Sequence, residues 1–254
     1  MTRPLDETVA LITGASSGIG AATARALAAQ GASVALAARR ADRLEQLSSE
    51  ISAAGGRALV LDSDVTDSAQ AESAVERTVR ELGRLDTVIN NAGVMLLGPI
   101  ENAPLEEWER MVKLNALGVL YIAHAALPHL LQAAEDGPRR VADLVNVSSV
   151  AGRIARRNSG VYNLTKFGIG AFSESLRQEV TGRHVRVSLV EPGAVDTELM
   201  SHLRPEARAQ AAQRFANVEV MQAEDIADAI TFVVTRPRRV AINEILVRPT
   251  EQEQ

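Results

Sequence analysis

Val9-Ala10-Leu11-Ile12-Thr13 runs directly into Gly14-Ala15-Ser16-Ser17-Gly18-Ile19-Gly20, and an Ala-rich segment from about Ala21 to Gln30 follows before Gly31. The first five residues read as a buried strand and the Ala-rich segment as a helix that its glycine stops. The order is therefore strand, glycine turn, helix. Glycines placed there let the backbone approach a pyrophosphate, while the helix N-terminus supplies N–H donors and a favourable dipole. Gly14, Gly18 and Gly20 suit that task. Their spacing, G-x-x-x-G-x-G, differs from the commoner G-x-G-x-x-G, and no Lys-Ser/Thr pair of a phosphate loop follows. Three glycines alone would be equally at home in a tight structural turn. Their position after the first strand and before the first helix is what favours binding.

Working outward, short runs rich in β-branched residues alternate with longer segments of helical period, the pattern of repeated βαβ units and a parallel sheet. Strands are expected at Ser33 to Ala38, Ala58 to Leu61, Thr87 to Asn90, Val141 to Val147, Val185 to Val190 and Glu244 to Val247. Helices are expected near Asp42 to Ala54, after the Asp67-Ser68 cap to about Leu82, from about Leu105 through Leu131, from Tyr162 to about Thr181, and near Ala223 to Thr235. Pro128 predicts a kink or an end in the long helix. The polar stretch Thr197 to Asn217 reads as less regular.

Length and composition narrow the classes. A chain of 254 residues suffices for one large core, and 46% hydrophobic with 23% charged residues describes an ordinary globule. The net charge of -5 gives no electrostatic reason to bind nucleic acid. There is no cysteine, so disulfides and thiolate chemistry are excluded. The start Met1 to Glu7 lacks the apolar core of a signal peptide, which makes the cytoplasm the expected compartment. No apolar run is expected to reach the roughly 20 residues of a bilayer span. His124, His129, His184 and His202 show no metal-ligand spacing, and no metal is expected.

Chemistry is suggested by Val161-Tyr162-Asn163-Leu164-Thr165-Lys166. Four residues apart on a helix, Tyr162 and Lys166 share a face. A free phenol titrates near pH 10, and an ammonium beside it would favour the phenolate. The pair is an acid/base candidate, although a half-buried tyrosine and a solvated lysine at this spacing also occur by chance.

Thr13 to Gly20 (TGASSGIG), Asn90 to Gly93 (NNAG), Asn115, Ser149, Tyr162 with Lys166, and Pro192-Gly193 together resemble the short-chain dehydrogenase/reductase family, in order and over roughly residues 6 to 236. The resemblance implies one doubly wound Rossmann domain across residues 1–254, with a central parallel seven-stranded sheet flanked by helices. It implies a nicotinamide dinucleotide at the carboxyl ends of the strands and a substrate loop near residues 197–217. It assigns catalysis to Asn115, Ser149, Tyr162 and Lys166. Tyr162 would be the acid/base, its pKa lowered about three units, at about 4 kcal/mol, by Lys166 and the oxidised nicotinamide. Ser149 would orient the substrate oxygen, Ser148 being the alternative, and Asn115 would hold a water linked to the lysine. Ser16, Ser17, Gly18 and Ile19 are assigned to the phosphates and ribose, and Asn91, Ala92 and Gly93 to the adenosine side. Asp64 and Val65 fall to the adenine, with a helix-capping role for Asp64 left open. Lys166, Pro192, Gly193 and Thr197 flank the nicotinamide.

At the end of the second strand an acidic residue would select NAD. The chain has Ala37-Ala38-Arg39-Arg40 instead, so Arg39, with Arg40 as a second contact, points to a 2′-phosphate and NADP(H). The expected activity is that of an NADPH-dependent carbonyl reductase or alcohol dehydrogenase; a dinucleotide-binding regulator without turnover is the alternative. Within the family, Met95 to Pro99, Arg153 to Tyr162, Phe167 to Val180, Glu191 to Leu199 and Arg248 to Thr250 are similar to clavulanate dehydrogenases, which reduce clavulanate-9-aldehyde. Ile242 to Thr250 is similar to 3-hydroxy acid dehydrogenases acting on serine-like substrates. Both handle a small molecule carrying a carboxylate, which leaves the substrate open among small aldehydes, ketones and alcohols with or without one, and Arg153, Arg156 and Arg157 either help to bind a carboxylate or are simply solvated. The family also implies a homotetramer, or failing that a dimer, through the long helix and the Tyr162 helix.

Overall fold

The computed structural model describes residues 3–253. Seven strands form one sheet: β1 (Val9–Thr13), β2 (Ser33–Ala38), β3 (Arg57–Asp62), β4 (Thr87–Asn90), β5 (Ala142–Val147), β6 (Val185–Pro192) and β7 (Glu244–Val247). Their order is β3-β2-β1-β4-β5-β6-β7, and every pair is parallel. The chain starts at β1, builds outward to β3, then returns to β4 on the other side. This reversal between β1 and β4 opens a crevice at the strands' carboxyl ends, where doubly wound sheets hold their ligands.

Alternation along the strands divides the core in two. Ala10, Ile12, Val34 and Leu36 pack against α1 (Gly18–Ala29), α2 (Ala41–Ala53) and, later in the chain, Ile226 and Ile230 of a helix at Ala223–Val234. Leu11, Ala35, Val88 and Leu144 face α3 (Ser68–Leu82), and on the same side lie Ile122, Ala126 and Leu130. The result is a single Rossmann-like α/β domain.

Several expected boundaries move for physical reasons. The first helix begins at Gly18 rather than near Ala21, because the last glycines of the turn already form its first turn. The long helix is three pieces, α4 (Leu105–Val112), a π-helical turn (Lys113–Leu117) and α5 (Gly118–Asp136). Pro128 does not end α5. It lies on the exposed face, where the carbonyl it leaves unbonded can be hydrated, while Ala126 and Leu130 hold the opposite face on the sheet. The stretch Leu105–Asp136 is, by length and composition, apolar enough to cross a membrane, against the expectation from the sequence. Its apolarity serves the face packed on the sheet. After α6 (Gly160–Val180) and β6, the polar stretch is more regular than expected: a 3-10 turn at Glu198–His202 is followed by α7 (Pro205–Arg214), and Pro205 occupies the first turn, where proline costs nothing. The helix at Ala223–Val234 is α8.

Candidate active site

A cavity of about 760 Å³ follows the crevice from the glycine turn to the far side of Tyr162. Of the residues singled out from sequence for catalysis or cofactor, all but Gly20 and Asn115 line it.

At one end, Gly14 and Gly18 have φ of +67° and +51°, a region that L side chains rarely adopt. A Cβ on Gly20 would lie 2.4 Å from the Gly14 carbonyl oxygen, so Gly20 sits behind the turn and lets it fold tightly onto α1. The Ser17 side chain makes no cap on α1, and Ser16 to Ile19, which include the first helical residues, line this end of the cavity; the first N–H groups of a helix have no partner within it. The turn is clamped from β4. The Thr13 hydroxyl accepts from the backbone N–H groups of Asn91 (3.0 Å) and Ala92 (3.1 Å), and Asn91 Nδ2 donates to the Thr13 carbonyl at 3.0 Å. Asn91 therefore shapes the wall through its side chain.

Beside the turn, Arg40 donates to Ser16 Oγ from Nε (3.1 Å) and Nη2 (2.9 Å), and to Ser17 Oγ at 2.7 Å. Arg39 is exposed and reaches Asp64 at 3.8 Å. The two readings of Asp64 separate here. Asp67 caps α3, accepting from the N–H groups of Ala69 and Gln70, whereas Asp64 accepts from Thr66 and lines the cavity next to Val65.

At the other end, Tyr162 and Lys166 project from α6 and both are buried. Lys166 Nζ donates to the Val147 carbonyl at 2.9 Å and lies 5.8 Å from the centre of the Tyr162 ring. Burial pushes the phenol up to about 12, a hydrogen bond with Ser149 pulling the other way, and burial pulls the ammonium down to about 8. In the chain alone desolvation disfavours charge on each group, while the expected lowering of the phenol rests on Lys166 together with the charge of the oxidised nicotinamide. Ser149 Oγ also accepts from the Ala151 N–H at 3.1 Å, while the Ser148 hydroxyl is turned to the Lys166 carbonyl at 3.2 Å. Of the two serines, Ser149 is the one engaged with Tyr162.

Asn115 is buried in the π-helical turn, and its amide bonds the main chain of Val94: Oδ1 accepts from the N–H and Nδ2 donates to the carbonyl, both at 2.8 Å, while Nδ2 also donates to Thr165 Oγ1 at 3.4 Å. The wider turn presents the amide to Val94, next to Gly93, whose missing Cβ would sit 4.0 Å from Lys166 Nζ. Pro192 and Gly193 end β6 at the cavity wall, and Thr197 packs against Gly18.

The arginine cluster divides. Arg153 is held by Glu191 and Glu244 and does not line the cavity, whereas Arg156 and Arg157 do. No local pattern signals Thr13 as a clamp, or Glu198, which binds Arg40 and Arg43, or Gln252, which accepts from the Ala194 N–H at 2.8 Å. Each works through a partner dozens of residues away, beyond any local pattern.

The family model for short chain dehydrogenases matches residues 8–208. The chain belongs to that family. A short-chain dehydrogenase is an oxidoreductase, which displaces the regulator alternative. Among relatives, the glycine betaine reductase of Emericella nidulans is 38% identical over 252 residues; the match spans 98% of this chain but only 19% of that much longer protein. An uncharacterised oxidoreductase of Staphylococcus saprophyticus is 34% identical over 246 residues, 96% of each chain. In structure, a serine dehydrogenase complexed with NADP+ in its closed form superposes with a TM-score of 0.88 at 30% identity, covering 97% of both chains.

Proposed function

We propose that this short-chain dehydrogenase is an NADPH-dependent carbonyl reductase that also runs as an alcohol dehydrogenase. The observation that carries this reading is the grouping of buried Tyr162 and Lys166 with half-buried Ser149 at one end of the cleft, Ser149 hydrogen-bonded to the phenol and Lys166 fixed by the Val147 carbonyl. A protonated phenol is the form that reduction needs. NADP(H) fits the residues present: the glycine turn and the open N-terminus of α1 suit a pyrophosphate, and Arg40 with Ser16 and Ser17 forms a cationic, hydroxyl-lined cradle for a 2′-phosphate, with Arg39 beside it. When bound, the nicotinamide supplies or removes the hydride. The chain's own residues do the rest. Ser149 donates to the substrate oxygen and orients the carbonyl, and Tyr162 delivers its proton to that oxygen as negative charge grows there. Lys166, fixed by Val147, holds a positive charge close to the phenol as it becomes a phenolate. Asn115 locks Val94 and keeps the wall beside Gly93 and Lys166 in place.

For substrate, we favour a small molecule with a carboxylate near the reacting centre, such as a 3-hydroxy acid of the serine type. The serine dehydrogenase likeness and the cationic residues Arg156 and Arg157 support this. Clavulanate-9-aldehyde belongs to the same chemical class but has no support among the relatives named above. Leu199, Met200 and Phe215 on the loop beyond Thr197 would cover the substrate. We also propose a homotetramer, because Leu120 of α5 and Leu164 and Phe167 of α6 are exposed apolar residues on the two helices expected to pair. A light-scattering mass of one 27.1 kDa chain at micromolar concentration would refute it.

The test is NADPH oxidation against a panel of acidic and neutral aldehydes and ketones, run beside Tyr162→Phe. The unmodified protein should turn over at least one acidic carbonyl, and the variant should lose roughly 10²- to 10⁴-fold in rate with cofactor affinity nearly intact. Wild-type rates in Tyr162→Phe would overturn the mechanism.

A further inference from the structure

The cradle that the cofactor reading assigns to a 2′-phosphate already contains an anion, and it comes from the opposite side of the cleft. Glu198 follows Thr197 and opens the 3-10 turn at Glu198–His202. Its Oε2 accepts from Arg40 Nη1 at 2.8 Å and its Oε1 from Arg43 Nη1 at 2.5 Å. Arg40 is the same guanidinium that holds Ser16 and Ser17 of the glycine turn. The two arginines stand 158 and 155 residues from Glu198 in the chain, so this contact joins the loop covering the substrate end to the start of α2. The carboxyl is held at about 2 by the two guanidinium groups, which keeps it ionised throughout the working pH range.

A carboxylate spanning two arginines has the charge and donor demand of a phosphate oxygen pair. A 2′-phosphate placed against Arg40 would face this carboxylate, and like charges that close repel. The two must separate. We infer that Glu198 is a specificity-determining residue: it competes for the arginine cradle from within the chain, so that a 2′-phosphate binds by breaking the Glu198 pairs and freeing the loop that begins there, whereas a cofactor with a bare 2′-hydroxyl leaves them in place. This rests on the NADP(H) reading above. Both pairs are partly exposed, so the competition is a matter of fold-changes rather than exclusion.

The experiment compares NADPH, NADH, adenosine 2′,5′-bisphosphate and adenosine 5′-monophosphate by calorimetric titration at one ionic strength, in the unmodified protein and in Glu198→Gln, with Glu198→Ala as a second variant. Removing the carboxylate should tighten NADPH and the bisphosphate by roughly three- to tenfold and change NADH and the monophosphate by less than about twofold. Unchanged or weaker NADPH binding in both variants, or an equal gain for NADH, overturns the inference. Failure of the parent reading looks different: the unmodified protein would then show no preference for NADPH over NADH, and the inference would fall with it.

Discussion

The two ends of the cleft are built in opposite ways. Around the glycine turn, the wall is main chain: positive-φ glycines, the N-terminus of α1 without a side-chain cap, and the buried Thr13 and half-buried Asn91 side chains that tie β1 to the end of β4. At the other end, from Thr197 onward, α7 has no fully buried residue among its described side chains, and beside buried Leu203 the segment is held by ion pairs at the surface: Glu198 to Arg40 and Arg43, and half-buried Arg204 to Glu107. A pyrophosphate is the same in every dinucleotide, so a rigid backbone cradle suits it. In the function proposed above the segment beyond Thr197 covers the substrate and opens for it, and solvent-facing pairs worth at most about 1 kcal/mol each would let it do so. Tyr162 and Lys166 stand where the two constructions meet.

The sharpest break of this comparison is at the end of β5, where two adjacent serines differ only in where they point. Ser149→Ala should lower kcat roughly 10²- to 10³-fold, as loss of one donor to a developing oxyanion does. Ser148→Ala, which removes only a hydrogen bond to the Lys166 carbonyl, should cost less than about tenfold. Steady-state kinetics on a verified substrate decide it, and the reverse ranking would mean that Ser148, rather than Ser149, orients the substrate.

Next in size is a stability effect with the opposite sign to the activity effect. Lys166 titrates near 8 folded and near 10.5 unfolded, so below pH 8 it is charged in both states and its burial costs about 3 kcal/mol. Between 8 and 10.5 the unfolded chain binds the extra proton, so stability rises with pH in that window. Lys166→Met should therefore be inactive yet more stable than the unmodified protein by about 3 kcal/mol at pH 7, the difference fading as pH rises to about 10.5. Urea unfolding at pH 7, 9 and 10.5 would show it. A variant that is equally or less stable at pH 7 would mean that the Val147 hydrogen bond outweighs the buried charge.

What was legible in the sequence follows the same division. The rigid end is written in contiguous residues, because a strand, a glycine turn and a helix N-terminus are local features; so the sheet, the turn and the Tyr162-Lys166 face could all be read. Even there, the π-helical turn at Asn115 left no trace in the hydrophobic period, since one extra residue in a turn changes the phase too little to notice. At the loop end, α7 was missed because its Ala- and Arg-rich stretch lacks an apolar stripe, and Pro205 was the one signal of a helix start. Arg153 was grouped with Arg156 and Arg157 by proximity in sequence; its partners Glu191 and Glu244, brought beside it by β6 and β7, turn it away from the cleft.

The smallest expected effect concerns the charge left facing the substrate. Arg153 is taken by two carboxylates, Arg204 by Glu107 and Arg40 by Glu198, which leaves Arg157, beside the Tyr162 helix, and Arg110, on α4, exposed at the cavity wall with no ion pair among the described residues. A solvated arginine attracts a carboxylate weakly, and its long side chain loses freedom in doing so. Arg157→Gln should therefore raise KM for an acidic carbonyl substrate by only about two- to fivefold and leave kcat unchanged. For a neutral carbonyl of similar size, KM should not move beyond error. Raising the salt concentration should shrink the difference for the acidic substrate in the unmodified protein and have little effect in the variant, because only the charge has been removed. If acidic and neutral substrates respond equally to Arg157→Gln, the arginine is an ordinary solvated residue, and the carboxylate preference must then be sought in Arg156 or in Arg110, which lines the cavity from α4.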